Sequence, residues 1–450
     1  MNLILGAGLT GLSASYHIGH KHCVIIEKNP YPFGLVHSES HNAFTWDKGP
    51  HVSFSKSNYV KELFAKSVSG AYDEFEIKAG NYFKGHWIDH PAQSNLYQIP
   101  EPLRGQCLQS FLETRKNLPP DFKPADYAEW LETAFGPCFA NTFPAAYTRK
   151  YWTVDPQKMA TSWIGSRVFL PSVDDVVTGS EGPLNQSTYY ITKVRYPKHG
   201  GYQSFARELA AGADIRLNCA ATSIDLIEKK VHYAGEGAFS YERLISTIPL
   251  PIFVRLCRQA TPEVIAAAEA LSCSQGLLIS YEVPHPARRP ENWLYVYDED
   301  KYATRIHYTE KMTSGNAPEG KCGIQVEVYA SRHKLFNAAP KAIAEKVTDE
   351  LIEMGLIDNI LDKRFLRYSL KSLDWANIIF DHQTRPGLSL IYDWLAGYGL
   401  KRHGERDLEP TTDWDKQKIR TDMGSIVLAG RFGAWKYYWS DDCVLNGKYL

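Results

Sequence analysis

The glycines Gly6, Gly8 and Gly11 have the spacing G-x-G-x-x-G, which is typical of a site that binds a dinucleotide. In this motif the first glycine makes a tight turn, the second lets the backbone approach a pyrophosphate, and the third lets a helix pack closely on a strand. Glu27 follows in the position of an acid that accepts the hydroxyls of an adenosine ribose. Because an acid there disfavours a 2′-phosphate, the pattern favours FAD or NAD over NADP.

A second group of residues suited to a phosphate lies near the C-terminus, in the stretch SIVLAGRFGAWKYYWSDD. A buried strand runs there into Gly430, Arg431 and Gly433, where backbone N–H groups and an arginine can meet a phosphate or a flavin ring. The alternative is an ordinary turn from strand to helix whose arginine forms a salt bridge.

The apolar runs around the first motif indicate the elements that must position it. NLILGAG predicts a short buried strand, LTGLSASYHIG a helix and CVIIEKN a second strand, which form half of a doubly wound unit. Further along, a glycine pair precedes the predicted helix in VRYPKHGGYQSFARELA, and RLISTIPLPI predicts another buried strand. We therefore predict an α/β fold with a ligand cleft between two lobes: a discontinuous nucleotide domain, 1–60, 195–255 and 370–450, and a substrate-binding lobe, 61–194 and 256–369.

The composition narrows the class of protein. The chain has 450 residues, 44% hydrophobic and 22% charged, which excludes a disordered chain and a simple coiled coil. With 50 basic and 51 acidic side chains the formal charge is −1, so no global positive field attracts nucleic acid or anionic lipid. A small anionic ligand can still bind to a local cluster of arginines.

Other kinds of site receive little support from the sequence. The 8 cysteines include no C-x-x-C pair, so we expect no metal and reduced thiols. No motif of a zincin, P-loop NTPase or α/β-hydrolase is present. The chain begins in an apolar strand without a basic leader, and no apolar run reaches ~18 residues. We expect a cytoplasmic protein without a membrane span, and a homo-oligomer is compatible with the sequence.

These motifs resemble those of the UDP-galactopyranose mutases, within the wider superfamily of FAD proteins that includes protoporphyrinogen oxidases and amine oxidases. The resemblance covers nearly the whole chain and implies a Rossmann-type FAD-binding domain (GR2-like) with an inserted helical substrate lobe and an antiparallel sheet. It assigns the glycine motif and Glu27 to the FAD pyrophosphate and ribose. DKGPHVSFS places His51 beside the flavin, Gly34 in PFGL matches the family's double glycine, and Gly430 and Arg431 contact the cofactor.

The resemblance also implies a substrate site. FPAAYTRKYWTVDPQKMATSWIGSRV is similar to the mutases' Y-x-x-K-x-W followed by a Met, a Trp and an Arg, and ENWLYVYDEDKYATRIHY is similar to the segment with a second arginine. Arg167 and Arg305 would then bind the substrate diphosphate, with His51 as a third catalytic candidate beside the flavin. The implied substrate-binding residues are Tyr147, Trp152, Trp163, Tyr302 and Tyr437, with Lys150 close by.

The mutase chemistry that the resemblance implies is unusual for a flavin. Reduced FAD attacks the anomeric carbon of a nucleotide sugar through N5 and displaces the nucleoside diphosphate, and the sugar then changes between pyranose and furanose forms. Two phosphates gain charge as the glycosidic bond breaks, so arginine forks lower the barrier. NAD(P)H is a candidate reductant, and galactofuranose for a polysaccharide a candidate product.

Two departures from the family keep other functions open. Phe33 replaces the first glycine of the double glycine, so we expect the backbone near the cofactor to run differently or lie further away. Asn377 stands where the mutases have a phosphate-binding tyrosine, which weakens the match to UDP-galactose more than the match to FAD. The alternatives are an FAD-dependent oxidoreductase of the amine oxidase or protoporphyrinogen oxidase kind, with an apolar tunnel to the flavin, and a flavin-binding protein without turnover.

Overall fold

The β-strands supply two large sheets and several small ones. In the computed structural model of the chain, residues 1–119, 121–165, 168, 170–184, 193–235, 237–359 and 366–450 are described. The strands are β1 Asn2–Leu5, β2 Cys23–Ile26, β3 Ser38–His41, β4 Phe44–Asp47, β5 Tyr72–Glu76, β6 Ala79–Phe83, β7 His86–Asp89, β8 Lys193–Pro197, β9 Ile215–Arg216, β10 Ala221–Asp225, β11 Lys230–Tyr233, β12 Gly237–Ser240, β13 Arg243–Ser246, β14 Ser272–Cys273, β15 Gln275–Val283, β16 Trp293–Val296, β17 Arg305–Tyr308, β18 Cys322–Ala330, β19 Arg367–Leu373, β20 Ile378–Ile379 and β21 Ile426–Leu428.

The helices cover the sheets and build a separate helical region between β7 and β8. They are α1 Leu9–Ile18, α2 Asn58–Ser67, α3 Leu103–Asn117, α4 Tyr127–Phe135, α5 Pro137–Thr142, α6 Pro144–Tyr151, α7 Val173–Glu181, α8 Arg207–Ala210, α9 Leu250–Leu256, α10 Pro262–Ala270, α11 Pro340–Glu353, α12 Thr384–Ala396, α13 Gly430–Gly433 and α14 Ser440–Lys448. None of the described helices is long and apolar enough to cross a membrane.

A five-stranded parallel sheet, in the order β21-β13-β1-β2-β9, forms the dinucleotide-binding half of the molecule. Its strands come from three separate parts of the chain, and their short apolar runs are buried as expected for a parallel sheet covered on both faces. Helices α1 and α14 pack on each other so closely that a Cβ on Gly447 would lie 2.5 Å from the Cβ of Ser13. The two ends of the chain therefore complete one domain.

A seven-stranded sheet in the order β19-β15-β18-β17-β16-β6-β7 forms the other half. All its neighbours are antiparallel except β6 and β16. The strand register aligns Tyr295 with Arg305, Arg305 with Glu327, and Glu327 with Leu278. Residues paired in this way project from the same face, so the register alone brings a tyrosine, an arginine and a glutamate side by side. The other face packs on α11 around a core that includes Ile306 and Val326.

The predicted fold class is confirmed. The chain is an α/β protein with a Rossmann-type dinucleotide domain, an inserted helical region and an antiparallel sheet. The domain limits near residues 60, 195, 255 and 370 remain a prediction.

Candidate active site

A cavity of about 920 Å³ lies between the parallel sheet, the seven-stranded sheet and the helical region. At one end its wall includes Gly6, Gly8 and Glu27, and at the other it includes Tyr147 and Arg305. A volume of this size is at the upper end of those that hold cofactors and substrates. One space therefore joins the glycine motif to the charged face of the antiparallel sheet.

The three glycines of the motif occupy three different environments. Gly6 has a φ of +99°, and a Cβ there would lie 2.6 Å from the hydroxyl oxygen of Thr247. A Cβ on Gly11 would lie 2.1 Å from the carbonyl oxygen of Gly6, so this glycine serves the packing of helix on strand and does not line the cavity. A Cβ on Gly8 would meet no atom within 4 Å, because it would point into the cavity. The space next to Gly8, at the start of α1, fits a pyrophosphate.

Glu27 directly follows β2 and lies in the cavity wall with only 7% of its surface exposed. Its carboxylate accepts hydrogen bonds from the backbone N–H of Ala7 at 3.0 Å, the backbone N–H of Asn29 at 2.9 Å and the Asn29 amide at 2.6 Å. These bonds hold the acid next to the glycine turn, in reach of ribose hydroxyls.

The loop after β2 comes close to the glycine turn despite the replacement of a glycine by Phe33. Phe33 has a φ of +78°, the left-handed conformation that favours glycine, and its N–H donates to the carbonyl of Ala7 at 2.8 Å. A Cβ on Gly34 would lie 3.1 Å from the Cα of Gly8. The loop therefore lies against the glycine turn, because Phe33 adopts the left-handed conformation that the loop requires.

Arg431 lies in the cavity wall without a salt bridge among the described residues. Its guanidinium donates to the Tyr438 carbonyl at 3.4 Å and to the Asn377 side-chain oxygen at 3.2 Å, while its Nε is buried without a partner. Gly430 beside it has a φ of +77° and packs on Thr10 of α1. The turn therefore presents a cation to the cavity, unlike the alternative of a salt-bridged arginine.

Asn377 brings a hydrogen-bonding group of fixed orientation to the cavity wall. Its Oδ1 accepts from the Tyr151 hydroxyl at 2.9 Å and from Arg431, so the amide Nδ2 must point the other way. Nδ2 has no partner although the residue is only 5% exposed, and the hydroxyl of Tyr147 is buried without a partner too. Because buried polar groups are normally hydrogen-bonded, these atoms of the wall point to a polar ligand.

Arg305 forms a buried pair with Glu327 on the face of the sheet that lines the cavity. Two guanidinium nitrogens bind the two carboxylate oxygens, one of them at 2.9 Å, and the hydroxyl of Tyr329 donates to the same carboxylate at 2.9 Å. Burial by itself would lower the pKa of Arg305, but the Glu327 carboxylate raises it well above its usual value. Arg305 is therefore a permanent cation.

His51 lines the cavity next to the Arg305 pair. Its Nδ1 lies 3.0 Å from the Gly49 carbonyl, to which it donates, and its ring stacks on Tyr202 at a centroid distance of 5.4 Å. Burial lowers the pKa of His51 and outweighs the Asp47 carboxylate, which raises it. The lowered pKa favours the neutral imidazole. This geometry suits a residue that contacts a ring in the cavity.

Of the other residues predicted to bind the substrate, some line the cavity and some do not. Tyr147, Trp152 and Tyr437 line the cavity. Trp163 is 1% exposed and lies behind the wall, with its ring 4.9 Å from Trp152 and 5.7 Å from Tyr437. Arg167 lies outside the described residues.

Tyr302, also predicted to bind the substrate, lies away from the cavity. It is absent from the cavity wall, and its hydroxyl donates to the Asn337 side chain at 2.6 Å. Lys150, also near the site in sequence, donates to the carbonyls of Asp298 and Ala303 at 2.6 and 2.7 Å. It holds the loop that leads to Arg305 and does not line the cavity, so the segment supplies Arg305 to the wall together with Tyr295, its partner on β16, and not with Tyr302.

Several residues of the cavity wall were not predicted from the sequence. Glu327 had a recognisable signal, a carboxylate within the otherwise largely apolar strand CGIQVEVYA. Tyr151 and Tyr295 had no such signal, because each is one of several aromatic residues that are close together in the sequence. Lys48 donates to the Gly34 carbonyl at 2.9 Å and lies in the wall near the glycine turn, and burial lowers its pKa to about 8. No group of three or more His, Cys, Asp or Glu within the described ranges could hold a metal ion.

His307, next to Arg305 along β17, should make the folded protein sensitive to acid. Burial, followed by the nearby charge of Arg305, lowers its pKa from 6.5 to about 3. Between these values only the unfolded chain binds the proton, so the free energy of unfolding falls as the pH falls. From pH 6.5 to 5 the wild type should lose about 1.5 kcal/mol more than His307→Gln, measured by urea unfolding. Equal losses in the two proteins would contradict this assignment.

Comparison with known proteins identifies the fold. The model of an NAD(P)-binding Rossmann-like domain matches residues 4–67. The crystal structure of reduced UDP-galactopyranose mutase superposes with a TM-score of 0.85 and 22% identity, covering 99% of this chain and 93% of that chain. A protein of Exiguobacterium sp. 255-15 named as a protoporphyrinogen oxidase has a TM-score of 0.71 and 14% identity, covering 99% and 96%. Putrescine oxidase bound to putrescine has a TM-score of 0.62 and 12% identity, covering 99% and 97%.

The resemblance to UDP-galactopyranose mutase is thus confirmed for the fold over nearly the whole chain. Identities of 12% to 22% extend to the fold alone, which is shared by an isomerase and by oxidases. The reaction therefore depends on the residues of the cavity and not on the fold.

Proposed function

We propose that this protein binds FAD and interconverts the pyranose and furanose forms of a nucleoside diphosphate sugar. The observation that carries the proposal is the continuous cavity, in which the glycine turn at Gly8 and the cation of Arg305 face one space. An oxidase of amines or porphyrinogens has no need of an arginine beside its flavin, whereas a departing diphosphate does.

FAD fits the residues at the first end of the cavity. Gly8 and the start of α1 would take the pyrophosphate, Glu27 would accept the ribose hydroxyls, and Lys48 would add a cation close to the glycine turn. His51 and Arg431 line the continuation of the same space, where the flavin ring would lie. In its reduced form the cofactor would supply the nucleophile, N5, that attacks the anomeric carbon.

The remaining polar groups would bind the nucleotide sugar. Arg305 and the unpartnered donors of Asn377, Tyr147 and Arg431 would favour the charge that develops on the diphosphate as the glycosidic bond breaks. Arg305, Asn377 and Arg431 are held in place by their other hydrogen bonds, so little reorganisation is needed at the moment of reaction. Tyr147 and Tyr151 stack at a centroid distance of 5.6 Å and offer an aromatic surface to the nucleobase.

A redox flavoenzyme is the second candidate, and the aromatic end of the cavity favours it. Tyr127, Phe135 and Phe139 extend the wall into the helical region, where an apolar substrate would fit. Such an enzyme would consume one equivalent of a two-electron acceptor for every two electrons removed from the substrate. The two candidates therefore differ in stoichiometry.

We expect isomerisation to continue for many turnovers after a single stoichiometric reduction by dithionite, because the mutase reaction involves no net electron transfer. The reduced protein would be incubated without oxygen with UDP-, GDP- and dTDP-pyranoses, and the furanose isomers detected by chromatography. Product that instead tracks the consumption of NAD(P)H or oxygen would support the redox flavoenzyme. Tight binding of FAD with no turnover of any sugar or amine would indicate a protein without catalysis.

A further inference from the structure

Cys107 and Cys138 face each other across two helices of the helical region. Their sulfur atoms are 3.5 Å apart, with Cys107 on α3 and Cys138 on α5. Cys107 is completely buried, whereas Cys138 is half-buried, and both are free thiols. A disulfide has an S–S distance of about 2.05 Å, so the two sulfur atoms need to approach each other by only about 1.5 Å.

The backbone holds the two cysteines in place independently of their sulfur atoms. Gly136 precedes α5 with a φ of +77°, and a Cβ there would lie 2.6 Å from the backbone nitrogen of Phe111 on α3. The N–H of Cys138 donates to the hydroxyl of Ser110 at 3.1 Å. The two helices therefore touch at this point for reasons of packing, and the approach of the thiols is built into the fold.

We propose that Cys107 and Cys138 form a site of reversible oxidation, at which a disulfide joins α3 to α5. A low-molecular-weight disulfide such as oxidised glutathione is the oxidant. The Cys138 thiolate attacks it and releases one glutathione thiol, and Cys107 then attacks the mixed disulfide at the Cys138 sulfur. The second glutathione leaves as a thiol, so the protein has lost two electrons and two protons and the oxidant has gained them.

The different environments of the two thiols fit this order. Burial, followed by the neighbouring Cys138, raises the pKa of the Cys107 thiol, so Cys107 is protonated and shielded while Cys138 reacts, and its proton passes to the departing glutathione when Cys107 attacks. Cys138 is the sulfur that a small oxidant reaches first. The bond would lie directly behind the cavity, because Phe135 and Phe139, which flank Cys138, are part of the cavity wall. Oxidation would therefore stiffen this wall.

The test is to incubate the purified protein with oxidised glutathione and to map its disulfides by mass spectrometry without reduction. We expect one dominant cross-link between the peptides of Cys107 and Cys138, and a rise in Tm of roughly 3 °C or more that dithiothreitol reverses. Cys138→Ser and Cys107→Ala should lose both effects. Cys273→Ser, which changes another half-buried cysteine, should keep them.

A Cys138 recovered only as its glutathione mixed disulfide, or cross-links spread over the other cysteines, would overturn the proposal. So would a cross-link that leaves the Tm unchanged or lowers it. Comparison of oxidised and re-reduced wild type needs no variant, so a poorly folded Cys107→Ala would not prevent a decision. The outcome does not depend on the enzymatic reaction.

Discussion

Gly8→Val should yield a folded protein that contains no flavin, whereas the wild type should be purified yellow with about one FAD per chain. A Cβ at residue 8 would meet no protein atom within 4 Å, so we expect a valine side chain there to leave the fold intact. It would instead fill the space that the pyrophosphate must enter, at the start of α1. Flavin absorbance, protein concentration and thermal unfolding of the apoprotein measure the two effects separately.

Two other glycines provide the controls. Gly182 also has an extended backbone and open space at its Cβ, but it lies outside the cavity, so Gly182→Val should keep the full flavin content. Gly11→Ala should lower the stability of the whole protein, because its Cβ would collide with the carbonyl of Gly6 at 2.1 Å. A yellow Gly8→Val protein would disprove the proposed pyrophosphate position. A colourless wild type that binds only NAD would disprove FAD as the cofactor.

The dinucleotide end of the cavity could be predicted because its parts are close together in the chain. The three glycines, Gly6, Gly8 and Gly11, lie in the turn between β1 and α1 and in the first turn of α1. Glu27 directly follows β2, the next strand. Local physics governs such a unit: a glycine supplies a φ of +99°, and another lets the helix lie against the strand. The spacing of these residues is therefore visible in the sequence alone.

The substrate end could be predicted only in part, because it depends on strand register and on distant contacts. Glu327 reaches Arg305 only through the pairing of β17 with β18, and a shift of one residue would turn it to the other face. Tyr151 bonds to Asn377 across 226 positions of sequence. Tyr302 is close to Arg305 in sequence, but its hydroxyl donates to the Asn337 side chain and it does not line the cavity.

Arg305→Ala should lower the rate of the chemical step by roughly 10²–10³, a loss comparable to the removal of one donor that stabilises a transition state. The flavin content should hardly change, because Arg305 lies at the end of the cavity away from Gly8 and Glu27. Arg305→Lys should restore little, since an ammonium group cannot keep both bonds to the Glu327 carboxylate and also present a further planar N–H donor to the diphosphate. Single-turnover kinetics on the reduced protein, with the nucleotide sugar found to react, measure the rate.

The pairing with Glu327 requires a control for stability. Removal of Arg305 leaves a carboxylate that is 4% exposed without its partner, which costs about 3–5 kcal/mol of folding free energy. In Arg305→Met combined with Glu327→Leu no buried charge remains, so the Tm should recover while the rate stays low. Recovery of both would reduce Arg305 to a structural role. Arg149 is on α6, the helix that carries Tyr147, and forms an exposed ion pair with Glu299. Arg149→Ala should therefore change the rate little.

Arg167 stays a prediction and is tested in parallel with Arg305. If both arginines bind the same diphosphate, Arg167→Ala should cost a similar factor, and the double variant should cost less than the product of the two single losses because both act on one group. A product of independent losses would indicate that the two arginines contact different groups. Rates close to wild type in both single variants would remove the diphosphate clamp, and with it the main reason to prefer a mutase to an oxidase on this fold.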